Sequence, residues 1–156
     1  EERMPIMRLY RYVGPDDIRE RCRDVPAGKL IYCVQDFIDW MADTGQRLDG
    51  GRSLTVAFVI DENGRLRVAD RHSEHIACAG AGRVLSAGEM TLSVDHNTIE
   101  AMEVSNQSTG YCPELRSWTA VAAALDRLGI LHPGKFTTEM IFRRCPSCGQ
   151  HNIVKG

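Results

Sequence analysis

A nearly continuous apolar stretch runs from Leu54 to Ile60, broken only by Thr55, and is followed by Asp61-Glu62-Asn63-Gly64 and then Arg65-Leu66-Arg67-Val68. A run of this length bounded by turn residues predicts a strand buried on both faces. The alternation after it predicts a hairpin partner with Leu66 and Val68 toward the core and Arg65 and Arg67 toward water. A second alternation sets Met90, Leu92 and Val94 against Glu89, Thr91 and Ser93, which predicts a half-buried strand. Asp95-His96-Asn97 turns the chain, and Ile99 to Asn106 pairs back, with its two acidic residues leaving the facing of that strand open.

Helical periodicity occurs in two places. Phe37, Trp40 and Met41 share one face of a helix that starts near Gln35 or Asp36 and closes at Gly45. Pro113 opens a longer one, in which Leu115, Trp118, Val121, Ala122, Leu125 and Leu128 form one stripe before Gly129. Shorter expectations are a strand over Met7 to Val13, a break at Gly14-Pro15, a short helix capped by Asp16 and running through Ile18 to Cys22, and a strand from Leu30 to Val34. Gly80 to Gly82 reads as a flexible link, and Phe136 to Phe142 as the last strand. With no repeat and no long linker, residues 1–156 are expected to form a single α+β domain with a mainly antiparallel sheet and the Pro113–Leu128 helix packed on it.

Composition fits that expectation. A chain of 156 residues that is 43% hydrophobic can bury a core without disulfides. The formal charge of −2 argues against nucleic acid or an anionic membrane as the partner, although Arg143, Arg144 and Lys155 would be the residues to make such a contact. No apolar stretch is long enough to span a bilayer, and the N-terminus lacks the order of a signal peptide, so a soluble, cytoplasmic protein is expected.

The six cysteines are better suited to metal than to disulfides. Cys145 and Cys148 stand in Arg-Cys-Pro-Ser-Cys-Gly, a zinc-knuckle pattern whose tight turn can aim two sulfurs at one cation. A closed tetrahedral site needs two more ligands, and there is no second Cys-x-x-Cys. Cys78, before a glycine-rich link, and Cys112, before Pro113, are the preferred partners; His72, His75, His132 and His151 compete. A structural Zn²⁺ bound by Cys78, Cys112, Cys145 and Cys148 is therefore expected, with Cys22 and Cys33 left as small packing residues.

Familiar catalytic signatures are missing. His72-Ser73-Glu74 with the cysteine pair has the elements of a zinc deaminase, but Pro146 lies between the cysteines where that pattern puts a proline before the first. There is no Gly-x-Ser-x-Gly, no Walker loop and no dinucleotide-binding glycine fingerprint. The central third does concentrate His72, Ser73, His75, Glu89, Asn106, Gln107, Ser108 and Tyr111. His72, Ser73 and Glu89 are the candidates for acid-base or transfer chemistry, and Asn106, Ser108 and Tyr111 for binding a ligand. The same residues also serve as turn caps and corner anchors.

From His72 to about Leu125, the order His-Ser, two Ala-Gly pairs, a hairpin, then Ser108, Tyr111 and Pro113 resembles the C-terminal segment of plant IQ-motif calmodulin-binding proteins and of related bacterial toxin-associated proteins. On that resemblance His72, Ser73, Gly88, Ser108, Tyr111 and Pro113 build one shared structural or ligand-binding corner. The chain departs from the pattern in lacking its histidine between Ser108 and Tyr111, and it has no IQ segment, which removes the case for calmodulin. The leading expectation is a bacterial-type, zinc-stabilised domain with a small polar pocket for a small-molecule ligand or transfer chemistry. The alternative is a noncatalytic module that holds a protein partner in a toxin or defence system.

Overall fold

The computed structural model describes the backbone of residues 7–144 and 151–155, and side chains through residue 142. Five strands form one antiparallel sheet in the order β1-β3-β2-β4-β5, and β6 (Met140–Arg144) and β7 (His151–Lys155) form a separate hairpin. The central strand β2 (Ser53–Asp61) is buried on both faces: Val56, Ala57, Phe58, Val59 and Ile60 are each at most 1% exposed. Its hairpin partner β3 (Leu66–Asp70) sends Leu66 and Val68 into the core as the alternation predicts.

Arg67 does not point freely into water. The short β1 (Lys29–Ile31) pairs on the far side of β3, so the Arg67 guanidinium is half-covered, donating to Asp61 Oδ2 at 3.2 Å and to the Gly28 carbonyl at 3.2 Å. Asp61 holds the turn as well, its Oδ1 accepting from the amides of Asn63 and Arg65.

Strand β4 (Val84–Asp95) begins well before the predicted alternation, and β5 (Thr98–Val104) pairs only with its second half. The free edge of the first half is capped by Tyr10, which exchanges two backbone hydrogen bonds with Val84. The segment from Met7 to Val13 is therefore an extended edge with a single bridge and not a strand. Between β4 and β5 the register shifts by one residue after Thr91, so that Leu92 faces Ala101 and Thr91 faces Glu103. Met102 is the extra residue, and this bulge turns Val104 into the core and Glu103 onto the opposite face. It resolves the ambiguity left by two acidic residues in one strand.

One sheet face carries α2 (Val34–Thr44) and α4 (Trp118–Leu128), whose Phe37, Trp40, Ala120, Val121, Ala124 and Leu125 join the main core. Burial of each large side chain contributes about 1.5–3 kcal/mol. Gly45 and Gly129 end these helices with φ of 66° and 71°, left-handed values that glycine adopts without a Cβ clash. Pro113 lies before a 3₁₀ turn, Leu115–Ser117, and does not occupy the first position of the helix. Phe136 joins the core outside any strand, in a segment that follows β5 through two parallel bridges, Glu100–Leu131 and Ser105–Thr138.

On the other face, α3 (His75–Cys78) and α1 (Asp16–Arg21) cover only part of the sheet. Tyr10, Val59, Ile76, Cys78, Val84, Ala87 and Tyr111 form a second cluster there, with Ile18 and Cys22 at its margin. Asp16 lies inside α1, behind Pro15, and makes no cap. Gly80 and Ala81 are an ordered turn with φ of 61° and 65°. The rest of this face carries Thr55, Glu89, Thr91 and Glu103. No helix among the described residues is long and apolar enough to cross a membrane.

Candidate functional site

The central polar residues separate into structural ties and one open group. Asn106 is fully buried between two segments: its amide NH₂ donates to the carbonyls of Pro113 (2.8 Å) and Met140 (2.9 Å), and its Oδ1 accepts from the Met140 amide (2.8 Å). Ser108, 2% exposed, accepts from the Tyr111 amide at 3.3 Å, and its own carbonyl accepts from Cys112. The Tyr111 hydroxyl donates to the Gly82 carbonyl at 2.7 Å, and burial pushes its ionisation far up. These three, expected to bind a ligand, instead direct these polar atoms to backbone partners and knit a corner with Pro113.

The three candidates for chemistry do not converge. His72 is exposed, its ring nitrogen Nδ1 3.0 Å from Asp70 Oδ1, and Asp70 also accepts from the His72 amide, which lowers its pKa. The Ser73 amide closes the same turn on the Asp70 carbonyl. Ser73 lines a cavity between β3 and the loop before β1, whereas Glu89 lines another on the outer face of β4.

Glu89 instead heads a polar cleft that sequence reasoning reached only in part. This cleft, of about 110 Å³, is framed by Thr55, Thr91, Glu103, Ser105, Thr137 and Thr138 as well as Gln107. The hydroxyls of Thr55 and Thr91 lie 2.8 Å apart across β2 and β4. Ser105 accepts from the amides of Glu89 and Gln107, and Thr137 is fixed by both the amide and the carbonyl of Val104. Among the described residues, neither the Glu89 nor the Glu103 carboxylate has a salt bridge or hydrogen-bond partner.

Behind Glu89 stands His75, missed as a structural residue. Its Nε2 is 2.8 Å from the Gly88 carbonyl and so carries the proton; burial, the larger effect, lowers its pKa against the opposing pull of that bond and of Glu89 and Glu74. Burial favours the neutral ring, which holds the β4 backbone at Gly88, next to Glu89.

The metal expectation divides likewise. Cys145 and Cys148 lie outside the described residues, as do the side chains of His151, Arg143, Arg144 and Lys155. Cys78 is 1% exposed in the second core cluster, its thiol directed to the Arg67 carbonyl at 3.7 Å and its pKa pushed up to about 12 by burial. A Cβ built on Gly28 would lie 2.6 Å from that sulfur, so backbone packs it on that side. Cys112 is half-buried, with φ of 48°, and shares a cavity with Phe142 at the start of the β6–β7 hairpin. Of the histidines that compete as ligands, His72 and His75 are engaged as above, and His132 through Asp126 at 2.8 Å and the Gly134 amide. No group of three ligating side chains occurs among the described residues.

The chain matches no protein-family model, no curated protein and no solved structure.

Proposed function

We propose that this chain is a binding domain, not a catalyst, and that its recognition element is the Glu89 cleft on the outer sheet face. The observation that supports this reading is a pair of carboxylates, Glu89 and Glu103, set among threonine and serine hydroxyls with no cation paired to them among the described residues. Two unpaired carboxylates on neighbouring strands repel each other, and a cationic donor between them removes that penalty. The small volume limits the bound group to a head such as a guanidinium or an alkylammonium. His72 and Ser73 take no part.

Titration with methylguanidinium and with butylammonium, followed by amide chemical shifts, should perturb Glu89, Thr91 and Glu103 first. Glu89→Gln should weaken binding about tenfold, the loss of one charge-assisted hydrogen bond. Shifts spread evenly over the surface, or an unaltered Glu89→Gln, would sink the reading.

We also propose that Cys145 and Cys148 bind a structural zinc with Cys112 as a third ligand, which leaves Cys78 to the core. The support is the Cys-x-x-Cys spacing in the six-residue connection between paired Arg144 and His151, and the nearness of Cys112 to β6. Metal analysis of purified protein should find one zinc per chain. It should be lost in Cys148→Ser and in Cys112→Ser and retained in Cys78→Ser, whose cost is to stability instead. A zinc-free wild-type chain, or loss of zinc in Cys78→Ser, would overturn this assignment.

A further inference from the structure

A further cavity, of about 370 Å³, opens where the N-terminal segment crosses the start of α4, away from the Glu89 cleft. Met7, Leu85 and Ala120 give it an apolar wall; Arg8, Tyr10, Arg116 and Thr119 give it a polar one. Tyr10 is only 5% exposed; the Arg116 guanidinium interacts with its hydroxyl but can only donate, and the hydroxyl's own proton has no acceptor among the described residues. A buried hydroxyl proton without an acceptor costs free energy, which an acceptor reaching it from the cavity removes.

The charges point the same way. The Arg8 guanidinium lies 5.1 Å from the centre of the Tyr10 ring, and both Arg8 and Arg116 bind the Glu114 carboxylate, Arg116 through Nε at 3.0 Å. Two guanidiniums share one carboxylate, which leaves a surplus positive charge. The 3₁₀ turn Leu115–Ser117 runs directly into α4, so Arg116 and Glu114 both stand at the start of one continuous helical segment.

We propose that this cavity binds the phosphate group of a small phosphorylated molecule, with the Tyr10 hydroxyl, Arg116 and Arg8 on the phosphate oxygens and the apolar wall against the organic part. A tetrahedral phosphate uses donors converging from the N-terminal segment and the helix start together, more directions than a planar carboxylate offers. Glu114 is then an internal competitor, holding the guanidiniums together when the cavity is empty.

Calorimetric titration at low salt with inorganic phosphate, phenyl phosphate and benzoate tests this. Phenyl phosphate should bind most tightly. Arg116→Gln should weaken it about tenfold and Tyr10→Phe about fivefold, without lowering the thermal midpoint, since Arg116 is exposed and the phenylalanine removes an unsatisfied hydroxyl. Glu114→Gln should strengthen binding several-fold, because the competing carboxylate charge is gone; a merely structural Glu114 would not produce a gain. Absence of phenyl phosphate binding, benzoate binding as tightly, an unchanged Tyr10→Phe, or weakening in Glu114→Gln would each overturn the proposal. Loss of binding to cationic probes in Glu89→Gln leaves this site untouched, so the two readings fail separately.

Discussion

Alanine at position 88 is expected to prevent the native sheet from forming. Gly88 sits where β4 passes the end of β5, and a Cβ there would lie 1.9 Å from the Ser105 carbonyl oxygen and 2.7 Å from its carbon. Both are backbone atoms, so no rotamer change relieves the overlap. Ser105 is held in place by its amide on the Glu89 carbonyl and by its hydroxyl to the amides of Glu89 and Gln107, so the two strands would have to part. The cost should exceed about 4 kcal/mol, at the far end of the range for point substitutions and a large fraction of a domain's stability. Far-ultraviolet circular dichroism with urea unfolding should find Gly88→Ala unfolded or precipitated. Gly45→Ala is the informative contrast. Its Cβ meets nothing, so only the left-handed φ opposes it, at about 1 kcal/mol. A Gly88→Ala protein as stable as Gly45→Ala would show that the strands are not in this contact.

Gly88 also marks the limit of what could be read from the chain. Where the apolar pattern is strong the structure follows it: the β2–β3 hairpin, Phe37 and Trp40 inward, and left-handed glycines ending α2 and α4. The first half of β4 was illegible because Ser86, Ala87 and Gly88 have little strand propensity. They are strand residues because small side chains let β2, the Ser105 backbone and the second cluster approach closely, a property of tertiary packing. Met7 to Val13 shows the opposite error, strand-like composition with only the Val84 edge free to receive it.

The candidate site was half legible for a related reason. Glu89 and Thr91 on the polar face follow from alternation alone. Their neighbours Thr55 and Glu103 depend on cross-strand register, and Glu103 on the Met102 bulge, neither of which a single strand's pattern encodes. Polarity identified Asn106, Ser108 and Tyr111 as unusual positions, but not the direction of their hydrogen bonds. An asparagine surrounded by backbone partners and one offered to a ligand look the same in sequence.

Asn106 therefore has its largest effect on the fold. One side chain satisfies three buried backbone groups, the Pro113 carbonyl ahead of α4 and the amide and carbonyl of Met140 at the start of β6. Alanine leaves all three without a partner in a site closed to water, at about 1–3 kcal/mol for each, so a loss of about 3–5 kcal/mol is expected even after some relaxation. The urea midpoint should fall accordingly. Because the lost bonds tie β6 to the turn before α4, native-state hydrogen exchange should accelerate there more than in β2, whose amides are held by β3 and β4. Asn106→Asp should do no better at neutral pH: its carboxylate could still accept from the Met140 amide but would face the Pro113 and Met140 carbonyls with no proton to donate. If Asn106→Ala kept its stability but lost binding of a small ligand, this amide would belong to a site after all; the geometry points to a clamp that holds the start of β6 against the turn before α4.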